Sequence, residues 1–342
     1  MLIRVFFCGI IVMFNILFNK EENMKTLTVT KNDSGQRLDK FLIKYLSSMP
    51  KSLVYKSLRK KRVKVNGTRA KEDYILSEGD NLELYINDEF FEAKTDEEEF
   101  LSLSSGELDI VYEDENIIIV NKPQGLSVHA DESKTPDTLI NRIKRYLYNK
   151  GEFNPDDDLT FSPTLAHRID KNTQGLVIAA KNSESLRILN EKIKYKEIRK
   201  FYLCIIRGHI NREESTLKAF HFKDEKAKNA IISDVKKPGF KEMITKYKLK
   251  HRYKSHDLLE IELITGRTHQ IRAHMAHIGH PLLGDGKYGK LDKNSPLRRQ
   301  ALIAFRLIFD FKTESGILSY LNNKEIRIEH PTLVSREIEE NL

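Results

Sequence analysis

The stretch His167-Arg168-Ile169-Asp170 sets a guanidinium two residues from a carboxylate. A turn-like Lys171-Asn172-Thr173-Gln174-Gly175 follows, and then a buried-looking run from Leu176 to Ala180, closed by Lys181. A carboxylate beside a cation stays ionised at neutral pH and is available as a nucleophile or a base. The same spacing also suits a surface Arg-Asp pair that caps a turn, and a motif this short does not choose between the two. A second group, His269, His274, His277 and His280, raises the question of a metal. His274 and His277 share a helical face by spacing. No cysteine and no nearby carboxylate pair completes a tetrahedral set, so no metal site is expected. Gly284-Asp285-Gly286-Lys287 lacks the spacing and the following Ser/Thr of a phosphate loop.

Asp170 needs a strand behind it, and the chain from Leu108 onward is strand-rich. Ile110–Tyr112, Ile117–Val120, Leu176–Ala180, Phe201–Arg207, Tyr247–Leu249 and Leu258–Ile264 read as strands. Helices are expected over Leu139–Tyr148, Ser183–Ile193 and His269–Ile278, the last stopped by Gly279. Gly151–Asp158 reads as a loop and Lys223–Lys237 as polar and irregular. Helices and strands mix without a strict alternation, which indicates the α+β class.

The first third of the chain is built differently. Arg37–Lys71 holds twelve Lys/Arg against one acidic residue, Asp39. Leu38, Phe41, Leu42 and Tyr45 recur at helical spacing, and Leu53, Val54 and Leu58 form a second helical face. Lys60-Lys61-Arg62 precedes the alternating Val63-Lys64-Val65, and Asn66-Gly67 is a hairpin turn. A charge run usually means a solvated face, but this degree of imbalance favours phosphate contacts. Asp88–Glu99 reverses the sign, with seven acidic residues and one lysine. With the Ser/Gly stretch at 102–106 it reads as a flexible linker.

The chain has 342 residues, a net charge of +8 and 39% hydrophobic residues, which suits two globular domains and a polyanionic partner. Its two cysteines, Cys8 and Cys204, exclude a disulfide framework and fit a reducing compartment. Val5–Phe18 is apolar but too short for a confident membrane span, and no Ala-x-Ala site follows it. Residues 1–23 are expected to be an upstream extension or a short apolar tail, with Met24 as the working start. The expected domains are 24–87, a linker over 88–107, and 108–342.

The Asp170 stretch resembles the His-Arg-Leu-Asp-x-x-Thr-Ser-Gly signature of the RluA-type RNA pseudouridine synthases, with Ile169 for Leu and Gln174 for Ser. Three further blocks resemble that family in the same order: Asn121–His129, Lys200-Phe201-Tyr202, and Thr265–His274 continued by Gly279–Asp285 and Tyr288-Gly289. Near the C-terminus Ile303 stands where the family usually has His. Residues 24–87 resemble the S4 RNA-binding domain through Arg37-Leu38-Asp39 and Val63-Lys64-Val65-Asn66-Gly67.

The resemblance implies a central, mixed but mostly antiparallel sheet with flanking helices, preceded by a small S4-like α/β domain. It implies isomerisation of uridine to pseudouridine: the C–N glycosidic bond breaks, the base turns, and C5 joins the sugar. No cofactor and no metal are needed. It makes Asp170 the nucleophile or base, and it places Arg168 in the space left by the flipped nucleotide. Arg267 is expected in a salt bridge orienting Asp170. Tyr202 is expected against the target base, where it could serve as acid or base at C5. Arg37, Lys60, Lys61, Arg62 and Lys64 are expected to contact RNA, while Lys122 and His129 support the cleft. The expected partner is ribosomal RNA of the large subunit, with transfer RNA as the alternative. The protein is expected to be a cytoplasmic monomer without a membrane partner. Two rival readings are a non-catalytic ribosome-assembly factor and a metal-dependent hydrolase.

Overall fold

The computed structural model describes residues 24–91, 95–103, 107–130, 135–157, 159–224, 229–289, 297–335, 338 and 340; for 95–98 only the backbone is described. The apolar segment 1–23 lies outside the described residues. The chain divides into two compact units, one holding residues up to Glu97 together with Asn154–Phe161, the other holding Glu98–Phe153 and Ser162–Leu342.

In the first unit, α1 (Leu38–Tyr45) and α2 (Lys51–Arg59) accompany a sheet of β1 (Met24–Thr28), β2 (Val63–Val65), β3 (Thr68–Arg69) and β4 (Asn81–Tyr85) in the order β1-β4-β2-β3. The helical spacing seen in the sequence is the buried stripe: Leu38, Phe41, Leu42, Val54 and Leu58 all enter one core. Asn66 and Gly67, both at positive φ, turn the hairpin between β2 and β3. Two features differ from expectation. Residues 154–161 belong to this unit: Leu159 packs on its core, and the buried Asp33 carboxylate accepts the backbone N–H groups of Leu159 and Thr160. Phe100, inside the expected linker, is 1% exposed in the core of the second unit. One aromatic ring outweighs its acidic neighbours, because burying it removes a large apolar area from water.

The second unit is one large sheet. Its strands are β5 (Ile110–Glu113), β6 (Ile117–Lys122), β7 (Thr164–Leu165), β8 (Gln174–Ala180), β9 (Ile198–Arg207), β10 (Glu214–Asp224), β11 (Asn229–Ser233), β12 (Lys241–Arg252), β13 (His256–Leu263), β14 (Leu302–Phe309) and β15 (Glu325–Arg327). The main order is β11-β10-β12-β13-β9-β14-β8-β6-β5. The β14–β8 pair is parallel and the other pairs are antiparallel. This is the expected mixed, mostly antiparallel α+β sheet.

Helices α3 (Leu139–Asn149), α4 (Ser183–Lys194) and α5 (Gln270–His277) flank it. Thr138 and Asn182 cap the first two, each side chain accepting a backbone N–H three residues on. The segment Lys223–Lys237, expected to be irregular, instead contains the end of β10 and all of β11, paired from Phe220↔Ser233 to Asp224↔Asn229. Its polar composition hid the pairing, since only one face of a two-stranded ribbon need be apolar.

Among the described residues, no helix is long and apolar enough to cross a membrane.

Candidate active site

Asp170 lies in the loop that feeds β8, and the loop is set by backbone contacts. Thr173 N–H donates to the Asp170 carbonyl, and the parallel pairing with β14 follows at once, Gln174 opposite Ile303 and Gly175 opposite Ala304. Gly175 has φ +124°, and a Cβ there would lie 2.2 Å from the Ala304 carbonyl oxygen. Only glycine lets β8 approach β14 so closely, which accounts for the glycine in the motif. On the other side, Lys122 is fully buried and its ammonium donates to the carbonyls of Pro123, Leu126 and Lys171. Three carbonyl acceptors use all three ammonium protons. Burial pulls the Lys122 pKa down to about 7, with the Asp170 charge opposing that fall. Lys122 thus pins the residue next to Asp170, as expected of a supporting group. His129 is exposed, and desolvation first, then the charges of Arg168 and Lys144, lower its pKa.

Asp170 borders a cavity of about 720 Å³. Its Oδ2 accepts from Arg272 Nη1 at 3.0 Å. Arg272 is itself fixed by a bidentate pair with the buried Asp285, Nε to Oδ2 at 2.7 Å and Nη2 to Oδ1 at 2.9 Å. Burial opposes the guanidinium charge, but the bonds to Asp285 and the charge of Asp170 outweigh it and hold the Arg272 pKa up. The salt bridge expected from Arg267 is therefore made by Arg272. Arg267 precedes α5, and its Nε donates to the Glu242 carbonyl at 3.1 Å. Arg272 is inside α5 and turned inward, where two carboxylates meet it. Arg267 still lines the cavity, as do Arg168, Lys200 and Lys223.

Tyr202 projects from β9 and is 5% exposed. Its hydroxyl has no hydrogen-bond partner among the described residues, and the residue lines the cavity. Burial, then the charge of Asp170, push the phenol pKa up. At neutral pH the phenol is protonated, so it can donate a hydrogen bond or a proton but cannot start as a base. His167, also in the motif, is neutral: burial lowers its pKa to about 3, and its Nε2 accepts from Ile178 N–H. Ile303, where the resemblance expects His, is fully buried in β14. The four histidines of the metal question go to separate partners: His269 to Tyr288, His274 to Thr245, His277 to Asp234 and His280 to the Arg207 carbonyl. Among the described residues no group of three or more His, Cys, Asp or Glu side chains is placed to hold a metal.

The cations expected on the first unit fall into two sets. Arg37 forms a bidentate pair with the buried Asp39, at 3.0 Å for each bond, and so anchors the start of α1. Lys64 is paired with Glu83 and Tyr85. Lys60 and Lys61 are exposed and make no ion pair among the described residues, and Arg62 continues the same segment half-buried.

One cavity of a mixed sheet thus brings together an aspartate, its arginine partner and a buried tyrosine, an arrangement suited to an enzyme. The RNA pseudouridylate synthase family matches residues 116–277, and the S4 domain matches residues 36–82. An uncharacterized RNA pseudouridine synthase of Mycoplasma capricolum is 35% identical over 92% of this chain and the whole of that protein. Ribosomal large subunit pseudouridine synthase C of Haemophilus influenzae is 32% identical over 87% of this chain and 91% of that protein. Its Escherichia coli namesake is 32% identical over 78% of this chain and 80% of that protein. In fold, the chain is similar to human RNA pseudouridylate synthase domain containing 4, with a TM-score of 0.51 over 65% of this chain and 88% of that one, at 19% identity. The chain belongs to the RNA pseudouridine synthase family, and it is an isomerase that converts uridine in RNA to pseudouridine.

Proposed function

We propose that the RNA is large-subunit ribosomal RNA and that Asp170 is the group that acts at the sugar, as nucleophile or base. The observation that carries the second part is the asymmetry of its carboxylate: Oδ2 is bound by Arg272, whereas Oδ1 accepts no hydrogen bond among the described residues. An oriented carboxylate with one open oxygen suits attack or proton removal in a partly desolvated cleft. Tyr202 gives the target base an apolar face and a phenol donor. Arg168, exposed at the cavity, takes the place of the flipped nucleotide, whose extrusion costs a few kcal/mol. Ribosomal RNA is favoured because relatives matched over most of both chains carry the ribosomal large subunit in their names. The enzyme is read as a cytoplasmic monomer that needs no cofactor, with the first unit as the RNA-binding part and the second, Glu98–Phe153 with Ser162–Leu342, as the catalytic one. Lys60, Lys61 and Arg62 are read as phosphate contacts; Arg37 and Lys64 serve the RNA surface only through the fold they hold.

The test is a pseudouridine map of ribosomal and transfer RNA from cells lacking the protein, complemented with wild type or Asp170→Asn. Ribosomal sites that vanish and return only with wild type are the expected result. Lost sites in transfer RNA would overturn the substrate, and restoration by Asp170→Asn would overturn the role of Asp170. An unchanged map would remove both.

A further inference from the structure

His269 holds an unusual backbone position. It caps α5 in the left-handed region, with φ 53° and ψ 25°. Residues other than glycine hold that conformation at a cost, and such strain persists where surrounding contacts over-determine it. Here the contacts come from Gln270, which is 2% exposed. Its Oε1 accepts from Thr265 Oγ1 and Arg267 N–H, and its Nε2 donates to the Ile244 carbonyl and Thr245 Oγ1. The loop before α5 is thereby locked, and the imidazole of His269 is turned toward Asp170.

Two partners define the ring. Tyr288 Oη lies 2.8 Å from His269 Nδ1, and the same oxygen accepts from Ala230 N–H at 2.9 Å. On the far side, His269 Nε2 lies 3.9 Å from Asp170 Oδ2. An Nε2 lone pair facing a carboxylate would be repelled, whereas an Nε2–H is attracted. The tautomer is therefore Nε2–H, and Tyr288 donates its proton to Nδ1. Tyr288 is held in turn by Asp285, whose Oδ1 accepts Tyr288 N–H, and its ring lies under the Arg272 guanidinium at 5.3 Å. Asp285, Arg272, Tyr288 and His269 thus form one frame around a single oxygen of Asp170.

We propose that His269, oriented by Tyr288, is a positioning residue for Asp170: its Nε2–H steadies Oδ2 beside Arg272, so that Oδ1 is presented to the sugar. The inference rests on the reading of Asp170 given above. The 3.9 Å separation is the free-enzyme distance, and catalytic contacts of this kind shorten when substrate closes the site.

The geometry provides a discriminating pair of substitutions in the full-length enzyme. Asparagine is the side chain best tolerated in left-handed backbone, but its amide reaches only as far as Nδ1. Glutamine is less suited to the backbone, yet it carries an N–H about as far out as Nε2. Single-turnover and steady-state rates would be measured on a transcript containing the modified site, with thermal melts as the folding control. His269→Asn is expected to lower kcat by about 10- to 100-fold, with KM for RNA changed by less than about threefold. His269→Gln should recover much of that loss although it melts lower than His269→Asn. Tyr288→Phe keeps the ring under Arg272 and should lower kcat in the same way, and the double variant His269→Asn/Tyr288→Phe should be less than additive.

A purely structural role predicts the reverse order, with Asn at least as active as Gln; that order, or wild-type kcat in His269→Asn, overturns the proposal. Asp170→Asn is assayed beside them. If it is inert while His269→Asn matches wild type, only the present inference falls. If it is active, the reading of Asp170 falls first.

Discussion

Arg272 in the catalytic unit and Lys60 and Lys61 in the first unit are all cations of an enzyme that handles a polyanion, but their surroundings differ. The Arg272 side chain is 9% exposed and touches two carboxylates, Asp170 and Asp285. Its charge is spent inside the protein, and what it delivers is the direction of the Asp170 carboxylate. Lys60 and Lys61 are exposed at the end of α2 and carry no carboxylate partner among the described residues. Their charge is available to phosphate, where each neutralised contact releases counterions. Buried, paired charge fixes geometry and should act on kcat; exposed, unpaired charge should act on affinity and its salt dependence. Arg37 and Lys64 are the instructive intermediate, since they belong to the basic segment yet are neutralised locally by Asp39 and Glu83.

The comparison breaks most visibly at Arg272. Arg272→Met strands the buried Asp285, which is expected to cost about 3–5 kcal/mol of stability, and it should lower kcat by at least about a hundredfold. Urea unfolding and steady-state assays check this. Lost affinity with normal kcat would put Arg272 in the same class as the surface lysines.

A smaller effect is expected on the first unit. Lys60→Gln combined with Lys61→Asn, the latter chosen because position 61 has φ 60°, should weaken RNA binding. The slope of log affinity against log salt should become shallower by about 0.7–0.9 per lost contact, with kcat unchanged. Lys64→Met, already neutralised by Glu83, should leave that slope nearly as it was. Equal slopes for both variants would remove the distinction between free and neutralised cations.

The smallest effect is a pH dependence of stability. His274 is buried, with Nδ1 on Thr245 Oγ1, and burial first, then His277, lowers its pKa to about 4. The unfolded chain binds a proton near pH 6.5 that the folded protein takes up only near 4. Stability is therefore undiminished by this group above pH 6.5 and is progressively lost as pH falls from 6.5 to about 4. His274→Gln should flatten the stability profile in that window. An unchanged profile would mean that this histidine is accommodated as a cation.

Much of this was readable from the sequence, for reasons that can be stated residue by residue. Helices α1, α3 and α4 follow from local sequence pattern, and the structure adds the caps Thr138 and Asn182 to the last two. Asp170 and Tyr202 were singled out because they sit in ordered blocks resembling one family, and the cavity brings both together. The choice between Arg267 and Arg272 was not readable. Both lie in one short block, and only the left-handed turn at His269 and the start of α5 determine which faces Asp170. Asp285 and Tyr288 were visible as motif residues, but nothing in their spacing announced a bond to Arg272 or to His269. The one-sided β10–β11 ribbon was missed because its composition is that of a loop.

What this sequence determined by itself is therefore its periodicities, its segregation of charge and its candidate reactive side chains, because these are properties of neighbouring residues. What only the tertiary structure decided is pairing: Arg272 rather than Arg267 on Asp170, Phe100 in a core instead of a linker, and residues 154–161 with the first unit. Such contacts join residues far apart in the chain, and their energies depend on burial that exists only once the sheet has formed.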